Sequence, residues 1–395
     1  MILAVDTETT GSDFFHGCRP FLFTACNGEE VFWEWGEVDP FTRNVTWEPD
    51  AIQRIQSLLD RATQIIFFNA QFDIRALQSI GIDISALWAK SEDANIAAHA
   101  IHSAHISEDG AKTGKKKYVG RTLGLKPLCM EYFGWDDEDE KELDRAVQAK
   151  RKEVERLGYA IARAGHPHFP AARKNTKWYK LDMWLCPEEC LRYALLDAER
   201  TFIVWAAFVE ALWDDGLMSG YRLRRDLLPI CYNITSEGIY VDEDGLRGYI
   251  KRIDKKMDII CQYLRRRMGI NYKIDLNKPN IKNQLVHKTL GVPVIYKTDT
   301  GAPSLNKEAL EGYAKKYRSK ELRAYMKWKK WETKKRYAES YLNHAYEERI
   351  HGSIKITGTV GTRQSAIDPN TQNIDPILEE YIGPPPGHIW LCADY

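Results

Sequence analysis

The stretch Ile2–Gly11, ILAVDTETTG, opens with a short apolar run, Ile2–Val5, that leads directly into two acids. An apolar run of this length reads as a buried strand. Side chains alternate across a strand, so Asp6 and Glu8, two residues apart, leave the same face. Two later segments supply acids in equally defined geometry. In Ile65–Asp73, IIFFNAQFD, an apolar strand ends at Asn69, which suits a helix cap with Asp73 on the first turn. In Tyr193–Asp197, YALLD, the tyrosine and the acid are four residues apart and share one helix face.

Carboxylates brought together repel one another, and burying them costs several kcal/mol unless cations neutralise them. Hard oxygen donors of this kind select Mg²⁺ or Mn²⁺. Two such ions, roughly 3.5–4 Å apart, activate water and stabilise the leaving oxygen of a phosphodiester. Tyr193, beside the last acid, is placed to orient the attacking water. Any one of these motifs is weak by itself, because a D-x-E triplet arises by chance about once in a few hundred residues. Together, in order and each preceded by its expected element, they point to a hydrolytic nuclease.

The chain has 395 residues, enough for two or three domains. Its 44% hydrophobic residues can build cores and its 28% charged residues a polar surface. The eight cysteines are scattered; Cys186 and Cys190 form the one close pair, and without a second pair they argue against zinc. Reduced thiols and a cytoplasmic location are expected. No apolar stretch approaches 18 residues and the N-terminus enters a strand at once, so neither a membrane span nor a signal peptide is expected. The formal net charge of zero hides a gradient. Met1–Gly110 holds 17 acidic and 6 basic residues, a net of −11, whereas Glu311–Ser340 holds 11 basic and 4 acidic, a net of +7. An acidic domain can cut a polyanion if metal ions reverse the sign of its site, and the basic block is where sequence-independent affinity for phosphates would reside.

DTETTG, NAQFD and YALLD resemble the three exonuclease motifs of the DEDDy 3′–5′ exonucleases, the proofreading domain of family A (Pol I-like) DNA polymerases. The resemblance implies catalytic roles for Asp6, Glu8, Asp73, Tyr193 and Asp197. It implies that Asp6, Glu8 and Asp197 hold one Mg²⁺ or Mn²⁺, and that Asp6, helped through water by Asp73, holds the second. Asn69 is expected to touch the DNA end. Asp93 in SEDANIAAH and the Gly120–Gly134 stretch match family segments for which structural roles are expected.

The expected fold is α/β: a ribonuclease H-like mixed-sheet exonuclease domain, then a mainly helical thumb and the start of a palm. Met1–Val5, Phe21–Cys26 and Val31–Trp35 read as an antiparallel meander, Ala51–Leu59 as a helix and Ile65–Phe68 as a further strand, with helices dominant from Ala94. The exonuclease domain is expected over residues 1–215, with a charged insertion at about 136–180 that is either a solvated helix pair or a lid. Residues 216–352 read as the thumb, since Leu227–Tyr240 and Ile274–Ala314 resemble its family segments. Lys315–Arg349 is a basic helical region whose aromatics read as packing residues and whose Lys327, Lys329 and Lys330 suit duplex phosphates. Residues 353–395 read as the start of the palm. There GTVGTRQSAIDPNTQNIDP (Gly358–Pro376) resembles the stretch that contacts primer–template duplex, with Arg363, Asn370, Gln372 and Asn373 at the matching positions.

The last residues, WLCADY, resemble the start of polymerase motif A, with Asp394 as a polymerase metal ligand. Fingers and the second metal-binding acid do not follow, so this polypeptide alone is not expected to polymerise. A truncated form, a split gene and intein-related fragmentation would each account for this. The split gene, with a C-terminal polymerase half as a separate chain, is preferred. The absence of a 5′-nuclease domain resembles phage polymerases. The expected partners are DNA, as a single-stranded 3′ end and as primer–template duplex, and that second chain. Two rivals remain: a stand-alone exonuclease that trims RNA or single-stranded DNA, and a non-catalytic DNA-binding subunit of a split polymerase.

Overall fold

The computed structural model describes residues 1–40, 42–102, 123–156, 182–298, 301–359 and 363–391. Asp394 and most of the charged insertion beyond residue 156 lie outside the described residues. The chain forms two compact units: Met1–Gly238 with Gly352–Gln372, and Ile239–His351 with Asn373–Tyr395.

The first unit is built on a mixed five-stranded sheet in the order Val31–Trp35, Pro20–Cys26, Ile2–Thr9, Gln64–Phe67, Ser91–Asp93. The first three strands form an antiparallel meander, with Asp6 opposite Thr24 and Thr24 opposite Trp33. The next two add in parallel, Ala4 beside Ile66 and Phe67 beside Asp93. Leu3, Val5, Ile65, Ile66 and Phe67 are almost wholly buried, and each such side chain contributes about 1.5–3 kcal/mol on leaving water. The acids of the first motif therefore sit on the middle strand of a sheet whose interior is dry.

Helices occupy the places that the apolar spacing demands. Pro49–Arg61 opens with a proline in its first turn and buries Ala51, Ile55, Leu58 and Leu59. Ala70–Ser79 follows the strand Gln64–Phe67, with Asp73 in its first turn. Pro187–Asp214 starts with proline and two glutamates, which suit the positive end of the helix dipole. It buries a long stripe that includes Cys190, Tyr193, Asp197, Thr201 and Phe208, and it stops before Gly216, where φ is +67°.

Asn69 occupies the cap position of Ala70–Ser79, but its side chain makes no capping bond. Asp93 takes that part instead. Its Oδ2 accepts from the Ala70 N–H at 2.9 Å, while Oδ1 accepts from the Asn95 and Ile96 N–H groups at 2.9 and 3.0 Å. One buried carboxylate thus starts two helices, because the parallel strand that ends at Asp93 lies beside the one that leads into Asn69.

The chain returns to the first unit at Gly352–Gln372 as a two-stranded ribbon, Ser353–Lys355 with Ser365–Ile367. Ile356 is buried in the main core. Gln71 donates to the Ile354 carbonyl at 3.1 Å, the Thr357 hydroxyl bonds Asn95 Oδ1 at 2.9 Å, and His99 Nε2 meets the Thr359 carbonyl at 2.9 Å.

The second unit pairs two long helices, Glu243–Met268 and Lys320–Asn343, beside a small sheet. Asp242 caps the first, accepting from the Gly245 N–H at 2.9 Å, and Gly269 at φ +68° ends it after three arginines. The basic region expected as one helical stretch is broken. Lys307–Tyr317 ends at Arg318, whose φ is +46°, and Ser319 caps a new helix by accepting from Leu322. Beyond Asn343 the chain turns to strand at Ala345–Tyr346 and Arg349–Ile350.

Asp93→Ala should lower the unfolding free energy by about 3 kcal/mol, since it leaves buried N–H donors without acceptors. Denaturant unfolding checks this; a loss below about 1 kcal/mol would show that water or a neighbour replaces the carboxylate.

Candidate active site

Asp6 and Glu8 are half-buried on the central strand, with the buried Thr7 between them. The Thr7 hydroxyl donates to Asp73 Oδ1 at 2.7 Å, which ties the second motif to the first. The helix Pro187–Asp214 packs across the two neighbouring strands. Thr24, which faces Asp6 across the sheet, donates its hydroxyl to the Ala194 carbonyl at 3.2 Å. The same helix face carries Tyr193 and Asp197, both 8% exposed. The three motifs that lie far apart in the sequence are therefore neighbours.

The electrostatics follow from that crowding. Burial, and then the charges of Glu8, Asp73 and Asp197, push the Asp6 carboxyl well above the usual carboxylate range, with only partial relief from Lys126. Burial drives Asp73 up to about 7 against the opposing bond from Thr7. Asp197 is raised by burial although Lys126 and Arg200 pull it down. Burial and the charge of Glu8 raise the Cys190 thiol well above its ordinary value, so it is an inert packing group here.

Three residues beside Asp197 are not singled out by the sequence motifs. Lys126 lies in the helix Leu125–Phe133, and its ammonium stands 3.7 Å from the centre of the Tyr193 ring and 3.5 Å from Asp197. Arg200, one turn beyond Asp197, donates to it at 3.0 Å. Asp139 opens the helix Glu138–Arg156 and binds both cations. Burial alone would raise Asp139, but the hydrogen bonds from Arg200 and Lys126 hold it down at about 2. An arginine three residues after the last motif acid is the available signal for Arg200. Lys126 and Asp139 lie in stretches that otherwise read as a structural helix and a charged insertion.

The donor set suits a divalent cation. The charges of Glu8, Asp73 and Asp197 all bear on Asp6, a repulsion that a hard cation would relieve. The side chains nevertheless face protein partners, Asp73 turning to Thr7 and Asp197 to Arg200. Among the described residues no group of three or more histidine, cysteine or acidic side chains is arranged to share an ion.

The expected DNA-contacting residues fall in both units. Asn69 is exposed. Lys327, Lys329 and Lys330 lie exposed on Lys320–Asn343, and Lys329 also binds Asn277 at 2.7 Å and Glu332 at 2.8 Å. Tyr325 and Trp328 of this helix are buried and stack on each other, so they pack. Arg363 is exposed just before the second ribbon strand. Asn370 accepts from the Gln372 N–H at 3.0 Å, and Gln372 Oε1 accepts from the Ala366 N–H at 3.0 Å, so both side chains shape their own loop. Asn373 is exposed. No helix among the described residues is long and apolar enough to cross a membrane.

Comparison with known proteins finds matches for two stretches of the chain. Residues 2–164 match the 3′–5′ exonuclease family model, and residues 243–395 match that of DNA polymerase family A. DNA polymerase DpoZ of Salmonella phage PMBT28 is 25% identical over 321 residues, covering 78% of this chain and 43% of the phage protein. DNA polymerase I of Caldicellulosiruptor bescii is 28% identical over 214 residues, 49% of this chain and 24% of that protein. The chain thus spans less than half the length of these curated relatives. The POL domain of Pol1 from M. smegmatis, solved in complex with DNA primer-template and dNTP, shares the fold. Its TM-score is 0.62 at 15% identity, over 94% of this chain and 52% of that one.

The two family matches define a 3′–5′ exonuclease domain joined to polymerase sequence. The chain combines a stretch that matches the 3′–5′ exonuclease domain with one that matches the start of the DNA polymerase family A domain.

The depressed carboxyl of Asp139 has a consequence for acid stability. Its folded-state value of about 2 lies below the unfolded one, so its ion pairs stabilise the fold above about pH 4 and are lost as pH falls toward 2. Asp139→Asn should flatten the pH dependence of unfolding in that interval. An identical slope in wild type and variant would show that the pairs add nothing to the folded state.

Proposed function

We propose that this chain removes nucleotides from DNA 3′ ends by metal-dependent phosphodiester hydrolysis and holds primer–template duplex through its basic helix. The observation that carries the first part is the joining of the three motifs: Thr7, between Asp6 and Glu8, bonds Asp73, and Thr24, paired with Asp6, bonds the helix that carries Asp197. Asp6, Glu8, Asp73 and Asp197 would hold two Mg²⁺ or Mn²⁺ ions, which when bound supply an activated water and charge stabilisation for the departing 3′ oxygen.

The chain's own side chains do the remaining work. Tyr193 lies one turn before Asp197 with its ring fixed under Lys126, and its hydroxyl orients the attacking water. Attack in line with the departing 3′ oxygen breaks the terminal phosphodiester and frees a nucleoside monophosphate. Asn69, exposed at the start of the helix that carries Asp73, meets the single-stranded end. A frayed end of about three nucleotides fits this reading; each unpaired base gives up its stacking to enter.

The match to DNA polymerase family A over residues 243–395 favours a proofreading role over that of a free-standing RNA-trimming enzyme. The M. smegmatis Pol1 domain was solved with primer-template DNA, and the corresponding partner here is duplex DNA. The positive charge of Glu311–Ser340 supports that assignment, and Lys327, Lys329 and Lys330 are its candidates. The reading requires no second polypeptide, and the comparisons lend no support to one.

Asp6→Ala combined with Glu8→Ala should abolish Mg²⁺-dependent release of monophosphates from single-stranded DNA while leaving duplex binding unchanged. Digestion that survives both changes would refute the assignment of the acids. Replacing Lys327, Lys329 and Lys330 by glutamate should weaken duplex binding and flatten the dependence of log affinity on log salt by about 0.9 for each phosphate no longer neutralised. A salt slope equal to wild type would place the duplex elsewhere.

A further inference from the structure

Lys126 and Arg200 stand beside Asp197, yet their closest contacts run to Asp139. Lys126 Nζ is 2.7 Å from Asp139 Oδ2 and 3.5 Å from Asp197 Oδ1. Arg200 grips Asp139 with two bonds of 2.8 Å, from Nη1 and Nη2, and reaches Asp197 Oδ1 at 3.0 Å. The four side chains are between 8% and 12% exposed. Two cations thus share two carboxylates in a nearly closed pocket, with Glu140 4.0 Å from Lys126 at its edge. Neither cation is presented to solvent, where a DNA phosphate would have to meet it.

We propose that Asp139 is a positioning residue that competes with Asp197 for Lys126 and Arg200, so that Asp197 can exchange its hold on them for a divalent cation. The inference rests on the metal-dependent reading given above. A planar guanidinium that already makes a bidentate bond to one carboxylate has less to offer a second. Remove the charge of Asp139, and two cations face Asp197 alone; an arriving Mg²⁺ or Mn²⁺ then meets surplus positive charge. The first turn of the charged segment after Asp136 accordingly acts as a counterweight for the catalytic acid.

The test is Mn²⁺ binding by the full chain without DNA, read by calorimetry, with the metal-free melting temperature of each variant recorded beside it. Asp139→Asn should weaken Mn²⁺ binding on the order of tenfold, as expected for one uncompensated charge at short range. Adding Lys126→Gln to Asp139→Asn should restore binding toward wild type, because it removes the surplus cation; damage to the fold would not be repaired by a second deletion. Lys126→Gln alone should tighten binding, and this variant decides the matter if Asp139→Asn does not fold. Unchanged binding in Asp139→Asn, or no tightening in Lys126→Gln, would overturn the proposal. Wild-type protein that takes up no Mn²⁺, and matches Asp6→Ala in this, would overturn the metal-dependent reading together with the inference. Intact, Asp6-dependent uptake with no response to residue 139 or 126 would overturn the inference alone.

Discussion

Like charges forced into a poorly solvated space are the constraint around which the first unit is organised. At the effective dielectric of a protein, two carboxylates a few Å apart repel by several kcal/mol, which is comparable with a large part of a domain's net stability. The fold meets this cost in two ways. Asp6 and Asp73 are left with elevated proton affinity. Asp197 and Asp139 are instead matched with Lys126 and Arg200. The dry sheet beneath supplies the rigidity that keeps the acids from moving apart.

The second unit addresses a different problem. The helix Glu243–Met268 carries charge complementary to its dipole, with acids first and arginines last. On Lys320–Asn343 the aromatic side chains Tyr325, Trp328 and Tyr341 turn inward while Lys329 and Lys330 face solvent. Aromatic anchoring on one side and lysines on the other let a helix be both firmly packed and strongly basic.

Much of this is readable from residues two and four apart. The alternation in ILAVDTETTG locates the central strand, and the spacing of Tyr193 and Asp197 places both on one buried helix face. What is not readable depends on contacts between distant segments. Nothing local distinguishes Asp139 from its acidic neighbours in DDEDEKE; only the packing of Glu138–Arg156 on Pro187–Asp214 gives it two buried cations. Adjacency points to Asn69 as the cap of Ala70–Ser79, whereas the bond comes from Asp93 on a neighbouring strand. The break at Arg318 is hidden because lysines and aromatics continue on both sides of it.

The ribbon Gly352–Gln372 makes the first unit discontinuous along the chain. Severing the backbone after Gly238 would leave an N-terminal fragment without Ile356, and so with a hole in its apolar interior and with Gln71, Asn95 and His99 deprived of their bonds to the ribbon. The nuclease half is therefore not a bead that can be snipped from the string. The segment that completes its core is separated from Gly238 by the 113 residues of Ile239–His351.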